Sequence, residues 1–170
     1  AGFVEIGVIG MTNQSDFTAV GRARYFEDYV AGESHELGTV TVDEAEVVAF
    51  AGRYDPQIIH TDREKAKSGP FGGLIASGWQ TAGLMMSLYA TRYLSDASSL
   101  ASPGMDELRW IRPVRPGDEL TVTVNIVEAK QSRSKPDRGV VRTDIRVSNQ
   151  DGEEVMSMLA VNMISCREPG

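Results

Sequence analysis

Cysteine is almost absent: Cys166 stands alone in 170 residues, so neither an internal disulfide nor a thiolate metal cluster can form. A single thiol near the end of an apolar, strand-like run reads as a buried, inert side chain in a reducing compartment, and a cytoplasmic location is expected. Histidine is nearly as scarce. His35 and His60 are the only two. A helical pattern separates them and neither has a carboxylate at a recognised ligand spacing, so no metal site is expected. Positive charge is in deficit, with 17 Lys and Arg against 24 Asp and Glu. The net charge of −7 argues against nucleic acid as a partner, because a phosphate backbone is met by clustered cations. Long apolar runs are missing too. The uncharged stretch from Ser68 to Thr91 has a spanning length, but Gly69, Pro70, Gly72, Gly73, Ser77, Gly78, Gln80, Thr81 and Gly83 interrupt it, which excludes a transmembrane helix. Gly72-Gly73 lacks the flanking glycine spacing and parallel strand of a dinucleotide site, so no redox cofactor is expected either.

What remains is ordinary globular composition, 41% hydrophobic and 24% charged, sufficient for one well-buried core. Residues 1–20 read as an N-terminal extension and 21–170 as a single domain. No basic segment precedes the apolar residues of the extension, so it resembles neither a signal peptide nor a basic tail. Its Ala1 start is consistent with processing or with an alternative start at Met11.

The order of elements gives the fold class. His35 to Val42 reads as a strand, and Thr41-Val42-Asp43-Glu44 as a capping box for a helix running through Phe50. Thr61-Asp62-Arg63-Glu64 is a second capping pattern, opening a short helix that stops before Gly69-Pro70. From Ser77 to Tyr93 apolar residues recur at helical spacing with Leu84, Met85 and Leu88 filling the opposite face, so this helix is expected to be enclosed all round. A loop is expected from Ala97 to Gly104, then a strand over Glu107 to Ile111. At Leu120 to Ile126 the period changes to two. Val140 to Val147 and Val155 to Ile164 form a hairpin about the turn Asn149-Gln150-Asp151-Gly152. The expectation is an α+β protein, an antiparallel sheet of about five strands wrapped around one long buried helix.

Chemistry concentrates between residues 54 and 78. Asp55 and His60 sit five residues apart on what reads as a loop, His60 just ahead of a helix start, and Phe71-Gly72-Gly73-Leu74-Ile75-Ala76-Ser77-Gly78-Trp79 opens the apolar helix. An acid and a base on a loop point to proton transfer. Taken alone, that spacing describes a helix cap and a surface histidine; the glycine-gated helix beside it shifts the balance toward catalysis. Ser77 has no suitably placed histidine to make it a nucleophile, so it reads as an N-cap or a polar group on the substrate side. Trp79, Met85, Met86 and Tyr89 read as core, His35 as a strand-end residue, and Lys130, Arg133, Lys135 and Arg138 as a basic hairpin tip within reach of coenzyme A phosphates or serving edge solubility.

Together, the segment Asp55 to Gly78 and the run Arg112-Pro113-Val114-Arg115-Pro116-Gly117-Asp118 resemble the MaoC-like dehydratases and (R)-specific enoyl-CoA hydratases, a hotdog-fold family. That pattern is Asp, any residue, Asn, Pro, an aliphatic residue, His; here Gln57 stands at the Asn position and proline has moved to Pro56. The resemblance implies reversible addition of water to a trans-2-enoyl thioester, on coenzyme A or an acyl carrier, giving an (R)-3-hydroxyacyl product. Asp55 and His60 would activate water, the Gly78 N–H would donate to the thioester oxygen, and Gln57, Ser77, Phe71 and Gly73 would meet the substrate. Coenzyme A enters only as part of the substrate. Such folds leave a sheet edge open, so a homodimer or dimer of dimers is expected, with the acyl site near the interface. A hotdog thioesterase would need a carboxylate on the long helix, and none lies between Ser77 and Thr91. A noncatalytic acyl-binding subunit of a heterodimer would be expected to have lost Asp55 or His60, and both are present.

Overall fold

Five antiparallel strands form one sheet in the spatial order β1-β3-β4-β5-β2, with β1 at Ser34–Thr41, β2 at Ser99–Trp110, β3 at Glu119–Gln131, β4 at Arg138–Ser148 and β5 at Glu154–Ser165. The computed structural model describes residues 17–168; the expectations for the start of the N-terminal extension and for Met11 fall on residues 1–16, outside the described residues. Phe17, within the expected extension, is buried and packs on Tyr29 and Tyr93.

The period-two pattern becomes a core because its apolar members stack across the sheet. Val124 pairs with Ile145, which pairs with Met158, and all three are buried. The β4–β5 turn closes as the sequence implies: Gly152 takes a positive φ of 75°, and the Asn149 side chain accepts from the N–H groups of Asp151 and Glu153, both at 3.0 Å.

Among the described residues, four α-helices lead to and cover the sheet: α1 (Glu44–Tyr54), α2 (Ile58–Thr61), α3 (Arg63–Lys67) and α4 (Gly78–Leu88). Both capping boxes are shifted from their expected residues. Asp43, not Thr41, caps α1 by accepting from Glu46 N–H at 2.9 Å. Asp62, not Thr61, caps α3 through Lys65 N–H at 3.0 Å. In each case a carboxylate wins over the threonine hydroxyl as acceptor at the positive end of the helix.

Met85 and Leu88 of α4, with Tyr89 and Tyr93 just after it, join the strand side chains in one core. The buried phenols keep partners: Tyr89 Oη donates to Asn162 at 2.7 Å, Tyr93 Oη meets Thr143 Oγ1 at 2.7 Å, and Tyr29 Oη donates to the Tyr93 carbonyl at 2.6 Å. The other side of α4 differs from the expected full enclosure, since Trp79 is 58% exposed and Met86 is also open to solvent. The expected loop at 97–104 is largely strand. Ala101 pairs with Met163 and Gly104 with Val161, and Pro103 is tolerated because β2 is an edge strand whose outer N–H groups have no ladder partner. β2 is exposed along almost its whole length. Among the described residues, no helix is long and apolar enough to cross a membrane.

Candidate active site

Asp55 and His60 are not on an open loop. Pro56 disfavours helical backbone at the residue before it, so α1 ends at Tyr54 and Asp55 becomes its C-cap, with φ −151° and its N–H bonded to the Ala51 carbonyl at 2.9 Å. The chain then makes the single turn α2, closed by His60 N–H to the Gln57 carbonyl at 3.0 Å. That turn carries the imidazole back toward the carboxylate. Leu74, Ile75 and Ala76 are buried and tied on both sides: Ile75 N–H donates to the Ile59 carbonyl at 3.1 Å and Ala76 N–H to the Val114 carbonyl at 2.7 Å. The turn that presents Val114 is held by Asp118, whose carboxylate accepts from Arg115 N–H at 2.8 Å, and by Gly117 at a φ of 91°. The Arg115 guanidinium in turn donates to the Phe71 carbonyl at 2.6 Å. Through these ties the two resemblance-bearing segments deliver Ser77, fully buried, to the N-cap of α4.

Ser77 Oγ does more than cap. It donates to Asp55 Oδ2 at 2.7 Å, while Gln57 Nε2 donates to Asp55 Oδ1 at 2.7 Å. These hydrogen bonds, that from Gln57 first, hold the Asp55 carboxyl below its ordinary range, so it is ionised at neutral pH. His60, 5% exposed, has Nδ1 2.7 Å from the Ile75 carbonyl. A carbonyl only accepts, so Nδ1 carries the hydrogen and the Nε2 lone pair is left free in the neutral ring. Nε2 lies 3.3 Å from Asp55 Oδ2. At that distance the two groups can share or exchange a proton. The arrangement is therefore built to take a proton from water and to return one.

A cleft of about 270 Å³ opens beside the pair, lined by His60, Phe71, Gly78, Thr81, Trp110 and Val155 among others. Gly78 is the first residue of α4, so its N–H has no intrahelical acceptor and sits at the positive end of the helix. Of the residues read from the sequence, His60, Phe71 and Gly78 line the cleft, whereas Asp55 faces His60 from behind that lining and carries Ser77 and Gln57 on its two oxygens. Gly73 does not; it faces a separate depression with Arg63, Lys67 and Arg115. The basic hairpin tip joins β3 to β4, whereas the site lies by the other ends of those strands, roughly 40 Å away at about 3.3 Å per residue. Within one chain it does not meet the cleft. Thr81, Trp110 and Val155 were not legible as site residues. Trp110 has a signal in retrospect, as an aromatic immediately before the Arg112-to-Asp118 run.

The depressed Asp55 pKa has a testable sign. Activity that needs the carboxylate persists above that pKa and fades as pH falls through it. Gln57→Ala removes the leading stabiliser, raising the pKa, so the acid limb of kcat/KM is expected to move to higher pH. An acid limb that stays in place in pH–rate profiles would remove Gln57 from this role.

Comparison with known proteins places the fold among described relatives. The MaoC like domain family matches residues 28–149. The sequence is 31% identical to 3-hydroxyacyl-thioester dehydratase Z of Mycobacterium tuberculosis over 125 residues, 71% of this chain and 83% of that one. A MaoC-like dehydratase structure from Rhodospirillum rubrum aligns with a TM-score of 0.79 at 36% identity, covering 86% of this chain and 99% of that chain. The R-hydratase PhaJ1 of Pseudomonas aeruginosa aligns with a TM-score of 0.67 at 26% identity, covering 85% and 86% of the two chains.

Proposed function

The chain belongs to the MaoC-like domain family, a family of hydratases and dehydratases with the hotdog fold, and from that membership we propose that it catalyses reversible addition of water to a trans-2-enoyl-CoA to give the (R)-3-hydroxyacyl-CoA. The observation that carries the reading is a carboxylate held by Ser77 and Gln57 with His60 Nε2 3.3 Å from it, and His60 lining one cleft together with Gly78, the first residue of α4. Likeness to an R-hydratase supports the stereochemistry.

In the hydration direction a water held by Asp55 and His60 loses a proton to one of them as its oxygen bonds to C3. The electron pair of the C2=C3 bond moves toward the thioester oxygen, which accepts a hydrogen bond from Gly78 N–H. The pair then returns a proton to C2, so the site ends as it began and one water has been added. This needs general acid–base and electrostatic groups only, and chelator-treated enzyme is expected to keep its full rate. The direct test follows loss of the conjugated-thioester absorbance across a series of trans-2-enoyl-CoA esters. Absence of turnover with every ester would overturn the reading.

The open edge of β2 carries Leu100, Met105 and Trp110, all exposed, and unpaired strand edges invite a second strand. A homodimer formed along this edge, near the cleft, is part of the proposal. Light scattering is expected to give twice the chain mass at micromolar concentration; an active monomer would contradict it.

A further inference from the structure

Trp110 ends β2, and although 47% of it is open to solvent, its indole lies over the first residue of α4. A Cβ built on Gly78 would meet indole atoms at 2.3, 2.5 and 2.6 Å. Carbon atoms do not pack that closely, so the indole occupies the space that glycine alone leaves free. Trp79 meets the same ring edge-on, with centroids 5.1 Å apart and planes at 77°, a favoured aromatic arrangement. The ring is thus braced by α4 on the cleft side where the thioester oxygen would bind, and Thr81 and Val155 complete the apolar wall.

Resting on the hydratase reading above, we propose that Trp110 closes the acyl end of the cleft and restricts the substrate to short-chain enoyl thioesters. With C1 held at Gly78 N–H and C3 facing His60, the acyl carbons beyond C3 have only the space bounded by Trp110, Thr81 and Val155. The cleft of about 270 Å³ falls below the roughly 300–1,000 Å³ of pockets that enclose drug-sized ligands, and it must also hold the attacking water. Trp110 belongs to an edge strand rather than to the buried core, so its size can change without opening the core, and light scattering on each variant checks that the dimer proposed along β2 survives.

The experiment compares kcat/KM for crotonyl-, hexenoyl-, octenoyl- and dodecenoyl-CoA in the full-length wild type, Trp110→Leu and Trp110→Ala, with thermal melts confirming that the variants fold. The wild type is expected to favour the shortest esters, falling by roughly tenfold or more at octenoyl-CoA, the order of discrimination that apolar pockets achieve between homologues. Both variants are expected to raise the octenoyl-to-crotonyl ratio by about tenfold or more, Ala further than Leu. A merely structural tryptophan would lower all esters alike and leave that ratio fixed. Should either variant fail to fold, the wild-type length profile still decides. A flat profile to dodecenoyl-CoA, or an unchanged ratio in a folded variant, overturns the role of Trp110 alone. Absence of turnover with any ester overturns the hydratase reading, and this inference with it.

Discussion

Asp55→Asn and His60→Asn are each expected to lower kcat for crotonyl-CoA hydration by about 10²- to 10⁴-fold, the usual contribution of a positioned acid or base, with KM little changed. Asparagine is the informative replacement at both positions. At residue 55 it keeps an oxygen for Ser77 or Gln57 while removing the negative charge. At residue 60 its amide can donate to the Ile75 carbonyl, as Nδ1 now does at 2.7 Å, while offering no base toward Asp55. His60→Ala would leave that carbonyl unpartnered, at a cost of about 1–3 kcal/mol in stability, and so would confound chemistry with folding. Because the two side chains act as a unit across 3.3 Å, the double variant is expected to be hardly worse than the weaker single one. Near-wild-type turnover in either folded single variant would remove the pair from the mechanism.

The pair was legible because His60 is one of only two histidines and the spacing to Asp55 resembles the family pattern. What holds the pair was not legible. Ser77 stands 22 residues from Asp55, and no local pattern announces that a helix cap also donates to a carboxylate. Asp55 and His60 were read as loop residues because Pro56 and the nearby glycines are breakers. The same proline, by ending α1 at Tyr54, makes Asp55 a cap, and a single turn of α2 then suffices to bring His60 back. Strands β3, β4 and β5 declared themselves through alternation, since one face of each is buried. Only the second half of β2 matches an expected strand, Glu107 to Ile111; its first half carries Ser102-Pro103-Gly104, which has loop composition, and pairing with β5 makes it a strand. The exposed side of α4 was misjudged for a related reason. Apolar composition marks what favours cover, and this chain leaves Trp79 and Met86 open.

Gly78 offers the sharpest separation of donor from packing. Gly78→Ala places its methyl against the Trp110 indole, so its expected loss of activity reports the displaced ring as much as the thioester. Gly78→Pro adds the same clash and also deletes the N–H. Both belong in a Trp110→Ala background, where the space is open. There, Gly78→Ala keeps its N–H and is expected to recover most of what it loses alongside the tryptophan. Gly78→Pro has nothing to recover, and its kcat is expected to stay about 10²- to 10³-fold below the background, the effect of removing one oxyanion donor, about 2.7–4 kcal/mol. The helix can accept the proline. Residue 78 is its first position, where an N–H has no internal partner, and Ser77 already has φ −58° and ψ 139°, the extended geometry that a following proline requires. A folded Gly78→Pro/Trp110→Ala enzyme turning over as fast as Trp110→Ala would place the oxyanion donor elsewhere, and would separate the acyl cleft from the end of α4.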